Sequence, residues 1–227
     1  MDVLGALFPK KCVGCKKLGA YICTNCFAGI KMQTSSICGV CGRYAVDGLT
    51  HPMCRGRYTI DGTSAALVYR GIVKKLVYQY KFAPHLFDLS HLLCDFLYES
   101  AIQQEALAEY LRFPSVITSV PLYRSRHLAR GYNQSELLAK DLAKRLRVRC
   151  INASYKVKDT SSQVGKTEQE RRGNIKGAFV VRKVDLPERI LIIDDVLTSG
   201  ATMNEMAKVL KKNGAKYVWG LALAHGE

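Results

Sequence analysis

The sequence predicts a mainly parallel, three-layer α/β domain that follows a small cysteine-rich module. Two observations predict the domain: short strand-like segments begin at about Gly62, and they alternate with segments of helical periodicity. A third observation marks the module, because seven of the nine cysteines lie before residue 55. We therefore expect the module to occupy residues 1–57 and the α/β domain to occupy residues 58–227.

Apolar spacing predicts the elements of the first half of the domain. Residues 64–69 are expected to form a strand, as are residues 115–121, a short apolar run that ends in proline. Two segments between them carry apolar residues at helical spacing, and Pro84 ends the first helix. Their inward positions are Ile72, Val73, Leu76, Val77 and Tyr80, then Leu89, Leu92, Leu93, Phe96 and Leu97.

Two helices are predicted in the second half. Asn133 is placed to cap the first, with Glu136 three residues later as in a capping box. Gly214 is placed to end the second. Their inward positions are Leu138, Leu142 and Leu146, then Met203, Met206, Ala207 and Leu210.

The remaining strands are expected at residues 148–154, 178–182, 190–194 and 217–224. Residues 156–176 are polar and show little periodicity. They are expected to form a long loop with room for one helical turn, and such a loop inside a domain is often functional.

The chain is strongly basic, with 34 lysines and arginines against 19 acids and a net charge of +15. Such a surplus favours a polyanionic partner, either a phosphorylated substrate or nucleic acid, over a merely solvated surface. Charge alone does not say which polyanion. The basic residues cluster at Arg124, Arg126, His127 and Arg130; at Lys140, Lys144, Arg145, Arg147 and Arg149; and at Arg171, Arg172 and Lys176.

The expected compartment is the cytoplasm, with no membrane partner. No apolar run approaches the roughly 20 residues that a membrane helix needs, and the opening stretch is too short for a secretory signal. Nine cysteines in a cytosolic chain indicate metal binding rather than disulfides. Cys94 and Cys150 stand alone among apolar residues and are expected to be small core residues.

Three CxxC pairs and one HxxC pair follow one another in the module. Each pair lets two ligands meet one ion, and tetrahedral zinc needs two such pairs. With four protein ligands each, both sites would be structural, and metal binding would supply the folding energy of the module. The expected ligands are Cys12, Cys15, Cys23 and Cys26 at one site and Cys38, Cys41, His51 and Cys54 at the other.

The sequence leaves alternatives open for this module. A redox role is disfavoured, because redox CxxC motifs normally occur singly at the start of a helix. His51 could lie outside the second site and leave it with three ligands. A crossed arrangement, in which the first pair joins the third, is also open because sequence alone does not decide the pairing.

The most informative segment joins an apolar strand to a helix through two acids and a loop of small residues, RILIIDDVLTSGAT at 189–202. The loop offers hydroxyl donors, and Gly200 permits close approach of the backbone. The following helix presents free N–H groups and its positive dipole end to an anion. Such a cup at the carboxyl end of a parallel strand is typical of ligand sites in open α/β sheets. Asp194 and Asp195 suit sugar hydroxyls, or a water on Mg²⁺.

Other phosphate-binding folds are disfavoured, because neither a Walker lysine nor the GxGxxG spacing is present. The plain alternative is a strand whose final acids cap a helix. Against it, the segment closely resembles the signature with which type I phosphoribosyltransferases bind 5-phosphoribosyl-1-pyrophosphate (PRPP). The resemblance implies that Asp194 and Asp195 hold the ribose 2′- and 3′-hydroxyls. It assigns the 5-phosphate to Thr198, Ser199, Gly200, Ala201 and Thr202.

Three further segments, together with the cysteine module, resemble the ComF family, which joins a zinc ribbon to a type I phosphoribosyltransferase-like domain. They are VPL at 120–122, RGYNQS at 130–135 and RRGNIKGAF at 171–179, and the likeness covers nearly the whole chain. The fourth cysteine pair of the family is usually CxxC, whereas this chain has His51 and Cys54. The resemblance implies a link to competence, the uptake of external single-stranded DNA.

The same resemblance implies further binding residues. Arg130, Asn133 and Gln134 would line the site near the pyrophosphate or a second ligand; the alternative is a capped helix start beside a solvated arginine. Gln163, Lys166, Arg171 and Asn174 would belong to a mobile loop that closes over substrate, the alternative being a plain surface loop.

Three functions follow as hypotheses. The first is Mg²⁺-dependent phosphoribosyl transfer in DNA uptake, in which a nitrogen nucleophile displaces pyrophosphate from C1 of the ribose. The second is a non-catalytic module that binds PRPP as a regulator and single-stranded DNA on its basic face. The third, a PRPP-sensing transcription regulator, ranks lowest because no helix-turn-helix candidate is present. A competence helicase or DNA-processing protein is a further candidate partner.

Overall fold

The structure is a computed structural model, and it describes residues 10–82, 89–160 and 168–226. The strands are β1 Ser36–Ile37, β2 Tyr44–Ala45, β3 Gly62–Val68, β4 Val116–Ser119, β5 Arg149–Cys150, β6 Ser154–Lys156, β7 Phe179–Val181, β8 Arg189–Leu197 and β9 Tyr217–His225. The helices are α1 Thr24–Phe27, α2 Gly71–Phe82, α3 Leu89–Gln103, α4 Glu105–Leu111, α5 Arg124–Arg130, α6 Gln134–Leu146, α7 Glu168–Ile175 and α8 Ala201–Lys212. Short 3-10 turns lie at Val46–Gly48 and Pro52–Cys54.

The main sheet is a five-stranded parallel sheet in the order β3-β9-β8-β4-β5. Its central strand β8 is apolar at every position from Ile190 to Ile193, and all four side chains are fully buried. Ile190 and Ile192 pack on one face, while Leu191 and Ile193 pack on the other. An uninterrupted apolar run therefore forms this strand because helices cover both of its faces.

Helices cover the sheet on both faces and complete three layers. On one face lie α2, α3 and α6, whose buried residues include Leu76, Leu93 and Leu138. On the other face lies α8, which buries Met206 and Leu210 against the opposite side chains of the sheet. The predicted three-layer, mainly parallel α/β fold is thus confirmed.

The cysteine-rich segment packs along the edge strand β3. The β3 residue Val68 donates its N–H to the carbonyl of Lys31 at 2.9 Å, and Gln33 donates its N–H to the carbonyl of Ala66 at 2.8 Å. Further along the same edge, Leu49 forms an antiparallel bridge with Gly62. The module thereby satisfies the free hydrogen-bonding edge of the sheet, which would otherwise be open to pairing with another chain.

The prediction of one strand at residues 148–154 was wrong. The chain forms β5 at the edge of the main sheet and then, separately, β6, which pairs antiparallel with β7. Between them, buried Ala153 donates its N–H to Thr118 Oγ1 at 3.3 Å, so the backbone leaves the sheet plane at that point. Cys150 is consequently exposed on a two-residue edge strand and is not the core residue expected, whereas Cys94 is fully buried as predicted.

Two local predictions also need correction. Asn133 does cap α6, its Oδ1 accepting the N–H of Ser135 at 3.2 Å, but Glu136 pairs with Lys140 at 2.6 Å instead of completing a capping box. The segment 156–176 contains α7, which is two turns long rather than one; residues 161–167 lie outside the described ranges. Within the described ranges, no helix is long and apolar enough to cross a membrane.

Candidate functional site

The two adjacent acids lie near the carboxyl end of β8, and Asp194 is held there by two hydrogen bonds. Its Oδ1 accepts the hydroxyl of Ser135 at 2.9 Å and the backbone N–H of Asp195 at 2.8 Å. Burial, together with the charge of Asp195, raises the pKa of Asp194 to about 7, although both hydrogen bonds and the charge of Lys81 oppose this shift. Asp194 therefore changes its protonation state near neutral pH.

Asp195 forms an ion pair with Lys81, whose Nζ lies 2.9 Å from Asp195 Oδ1. Burial acts to lower the pKa of Lys81, but the charge of Asp195, its hydrogen bond to Lys81 and the charge of Asp194 together raise that pKa above its ordinary value. Sequence analysis did not single out Lys81. The position of Lys81 in the sequence could have identified it. Lys81 follows Val73 and Val77 at steps of four, so it lies on the inward face of α2. A charged side chain on an inward face needs an oppositely charged partner.

The loop after the acids joins β8 to α8 through Gly200, which has φ +76° and precedes the helix without a side-chain cap. The first-turn N–H groups of an uncapped helix lack intrahelical partners, so they remain available to an anion. Ser199 and Ala201 are buried, while Thr198 and Thr202 are partly exposed. A phosphate at this point would meet backbone N–H groups and two threonine hydroxyls.

The acids and the loop share one open cavity of about 800 Å³. Its wall carries four cationic side chains, namely Lys81, Arg126, Arg130 and Lys156. The aromatic side chains on the wall are Tyr69, Tyr78 and Phe82. The cavity thus combines a cup for one phosphate, two carboxylates suited to hydroxyls, and cations suited to further phosphate groups.

Two four-residue clusters gather within the described part of the cysteine module. In each, four potential ligand atoms lie within 4.8 Å of one another. Tetrahedral zinc with Zn–S bonds of about 2.3 Å needs sulfurs about 3.8 Å apart, and Cys15 Sγ lies 3.5 Å from Cys23 Sγ. The clusters consist of Cys12, Cys15, Cys23 and Cys26, and of Cys38, Cys41, His51 and Cys54.

Comparison with known proteins identifies the family. Residues 3–56 match the family model of the double zinc ribbon domain, and residues 133–225 match that of the phosphoribosyl transferase domain. Competence protein F of Haemophilus influenzae is 39% identical over 155 residues, which is 66% of this chain and 67% of that protein. DNA utilization protein YhgH of Escherichia coli is 32% identical over 220 residues, covering 87% of this chain and 93% of that protein. The chain belongs to the ComF family.

A third relative, competence protein ComFC of Streptococcus pneumoniae, is 29% identical over 205 residues, which is 89% of this chain and 80% of that protein. Membership of the ComF family, which the sequence motifs suggested, is therefore confirmed. The double zinc ribbon match and the two ligand clusters together support structural zinc in this ComF protein.

His51 is oriented for metal binding in the second cluster. Its Nδ1 lies 3.3 Å from Cys41 Sγ, while its Nε2 lies 2.8 Å from the carbonyl oxygen of Tyr44. If Nε2 carries the proton and donates to that carbonyl, Nδ1 presents its lone pair to the ion, which is the usual arrangement around zinc-bound histidine. The second cluster of this ComF protein thus has a complete set of four donors, three thiols and one imidazole.

Backbone groups favour the thiolate form of Cys12 in the first cluster. The N–H of Cys15, followed by that of Cys23, lowers the pKa of Cys12 to about 6. The N–H of Cys23 lies 3.4 Å from Cys12 Sγ. A thiolate is the form that zinc binds, so the CxxC turn prepares the sulfur for its metal.

Of the other predicted site residues in this ComF protein, Arg130 lines the cavity, whereas Asn133 and Gln134 do not. Arg130 lines the cavity and donates to Gln134 Oε1 at 3.1 Å. Gln134 is itself buried, and its Nε2 donates to the carbonyl of Lys81 at 3.2 Å. Asn133 donates to the carbonyl of Val120 and caps α6. Gln134 and Asn133 therefore support neighbouring groups instead of lining the cavity wall.

The residues expected in a closing loop are only partly described. Gln163 and Lys166 lie outside the described residues, and Arg171 lies in α7. Asn174, also in α7, has a buried amide Nδ2 without a hydrogen-bond partner among the described residues. Arg126 is tied to the start of this region by an ion pair with Asp159 at 3.3 Å.

Proposed function

We propose that this ComF family member binds PRPP in the cavity at the end of β8 and acts in DNA utilisation, including natural competence. One observation carries the proposal: two adjacent carboxylates and an uncapped helix N-terminus open into the same cationic cavity. The names of its relatives, competence protein F and DNA utilization protein, support the cellular context.

In this proposal the carboxylates and the loop bind different parts of PRPP. Asp194 and Asp195 accept the ribose hydroxyls, while residues 198–202 hold the 5-phosphate with backbone N–H groups and hydroxyls. Arg126, Arg130 and Lys156 line the same wall and are left for the pyrophosphate, whereas Lys81 pairs with Asp195. The ribose is thereby fixed with its C1 facing the open part of the cavity.

The chemistry that this arrangement favours is phosphoribosyl transfer. A nitrogen nucleophile forms a bond to C1 as the bond from C1 to the pyrophosphate oxygen breaks, and pyrophosphate leaves with the electron pair. The proton of the nucleophile passes to water. The cations stabilise the negative charge that grows on the leaving group, and the acids hold the ribose in position.

Mg²⁺ fits this site, because Asp194 and Asp195 offer the carboxylate oxygens that it prefers and PRPP would supply phosphate oxygens. When bound, the ion would neutralise pyrophosphate charge. The Lys81 ion pair already occupies one oxygen of Asp195. Mg²⁺ would therefore be held mainly by phosphate oxygens of the substrate, with Asp194 and Asp195 offering carboxylate oxygens to the ion or to its water ligands.

Calorimetric titration of PRPP with Mg²⁺ into the zinc-loaded protein tests the binding half of the proposal. Heat of binding is expected for the native chain and is expected to be lost in Asp195→Asn. A native chain that gives no heat at any accessible PRPP concentration would refute the proposal.

A pyrophosphate-release assay with candidate amines and nucleobases tests the catalytic half. Release that depends on both PRPP and an acceptor supports an enzyme. Retained PRPP binding without turnover would instead favour the second candidate, a PRPP-regulated binder of single-stranded DNA. That candidate is supported by the net charge of +15 and by α5, whose sequence RSRHLAR contains no acid.

A further inference from the structure

The outer face of α2 carries two aromatic side chains that the fold does not bury. Val73, Val77 and Tyr80 turn inward, whereas Tyr78 and Phe82 are 64% and 56% exposed. They stand four residues apart on the helix, and their ring centroids are 4.9 Å from each other. Adjacent exposed rings at the mouth of a cavity are typical of a binding surface, since their apolar area gains from being covered.

This aromatic pair belongs to the same cavity as the acids and the phosphate loop. Tyr78 and Phe82 line its wall together with Lys81, which reaches Asp195. A planar group stacked on these rings would therefore share the cavity with the ribose. The pair plays no part in holding PRPP as described above.

Positive charge surrounds the aromatic pair. The guanidinium carbon of Arg130 lies 5.1 Å from the centroid of the Phe82 ring, and Arg126 and Lys156 line the same cavity. The acids on the wall are Asp194 and Asp195, and Lys81 neutralises the second of them. The helix α5, which ends at Arg130, adds exposed Arg124.

Exposed rings beside arginine are the recognition elements for single-stranded nucleic acid, because unpaired bases stack on the rings while cations hold the backbone. Duplex DNA cannot use such rings without unstacking its bases. We propose that Tyr78, Phe82 and Arg130 form a binding site for single-stranded nucleic acid that opens into the PRPP cavity. The placement beside a ribose rests on the proposed function, whereas the stacking site itself does not.

A shared cavity has a thermodynamic consequence. If strand and PRPP meet the same cations and walls, each must change the affinity of the other by the same factor. A coupling of about fivefold or more, in either direction, is expected from contacts of this kind.

Fluorescence anisotropy with labelled oligothymidylate of about 20 nucleotides tests the site, because this length exceeds a single binding footprint. The zinc-loaded full chain is compared with Tyr78→Ala and Phe82→Ala, each of which should weaken binding about tenfold. Tyr78→Phe should restore binding, since stacking needs the ring and not the hydroxyl. Tyr44→Ala is the matched control, because Tyr44 is 67% exposed on β2 and lies outside the cavity wall.

The outcomes separate this inference from the function proposed above. The stacking site would be overturned by equal loss in Tyr44→Ala and Tyr78→Ala, or by equal affinity for duplex and single strand. If PRPP binds the native chain, a strand affinity that PRPP does not change would overturn the shared cavity. Calorimetry on Tyr78→Ala should still show PRPP binding, because the two acids and residues 198–202 are unchanged in that variant. Absence of PRPP binding in the native chain refutes the proposed function alone, and the alanine variants still decide the stacking site.

Discussion

Gly200, in the loop between β8 and α8, packs backbone to backbone against Gly39, which lies between Cys38 and Cys41 of the second cluster. A β carbon on Gly200 would lie 2.6 Å from the α carbon of Gly39 and 2.7 Å from its carbonyl oxygen. Gly39 is equally confined, because a β carbon there would lie 2.7 Å from Thr63 Cγ2 and 2.8 Å from Ile60 Cγ2. The turn between Cys38 and Cys41 therefore forms the support on which the phosphate loop lies.

This contact predicts that Gly200→Ala lowers the free energy of unfolding by far more than the cost of placing alanine at a left-handed backbone angle. Gly131 is a matched control, since it has φ +77° against +76° for Gly200 and nothing within 4 Å of its β position. Gly131→Ala should cost about 1 kcal/mol of unfolding free energy from the left-handed angle. Gly200→Ala should cost about 3 kcal/mol or more, because backbone atoms must move. Urea unfolding of both variants measures the difference, and equal costs would contradict the contact.

The same contact predicts that the second cluster controls phosphate binding more than the first. Cys38 and Cys12 are both fully buried, so Cys38→Ser and Cys12→Ser form a matched pair. Cys38→Ser should weaken PRPP binding about tenfold or more, because the turn that supports Gly200 loses its metal. Cys12→Ser should retain affinity within about threefold. Calorimetry gives the affinities, with zinc content measured in parallel; an equal loss in both variants would show that the module acts only through general stability.

The environment of Asp194 predicts a pH dependence of stability. Its folded pKa of about 7 lies above the ordinary 3.8, so the folded state holds the proton more tightly than the unfolded chain between these values. The associated stability is fully present at acid pH and is lost as the pH rises through about 7. The free energy of unfolding of the native chain relative to Asp194→Asn should therefore fall by about 2 kcal/mol from about pH 5.5 to pH 8.

Urea unfolding across that range, with zinc content monitored, provides the measurement. The groups that interact with Asp194 are Asp195, Ser135, Lys81 and Lys156, and all four are retained in the asparagine variant. A difference between native chain and variant that stays constant with pH would contradict the prediction.

The Lys81–Asp195 pair predicts that Lys81→Met destabilises the protein. Asp195 has a side chain only 14% exposed, so removing its partner leaves a largely buried charge uncompensated. A loss of about 2 kcal/mol is expected at pH 8, after allowance for the partial exposure of Lys81. Lys75→Met, at an exposed position of the same helix, is the control. Thermal or urea unfolding should separate the two variants, and equal stability would show that the ion pair contributes nothing.

Local patterns in the sequence were sufficient for much of the fold and for the outline of the site. The apolar run predicted the strand at 190–194, and the helical spacing from Met203 to Leu210 predicted α8. The spacing of the CxxC pairs likewise predicted metal binding. Each of these properties depends on neighbouring residues and on the geometry of a single element, so it can be read without knowing the tertiary contacts.

Other features depend on contacts between distant parts of the chain, and only the tertiary structure decided them. These include the partner of Lys81, the grouping of the cysteines into consecutive clusters, the carbonyl that orients His51, and the contact between Gly39 and Gly200. The split of residues 148–154 into β5 and β6 is of the same kind, since a strand's partners determine where it ends. The sequence by itself determined the central strands and the long helices of the domain, together with the chemical groups they carry. Packing of those elements decided which groups meet, because one local pattern is compatible with many long-range pairings and the burial of the core selects among them.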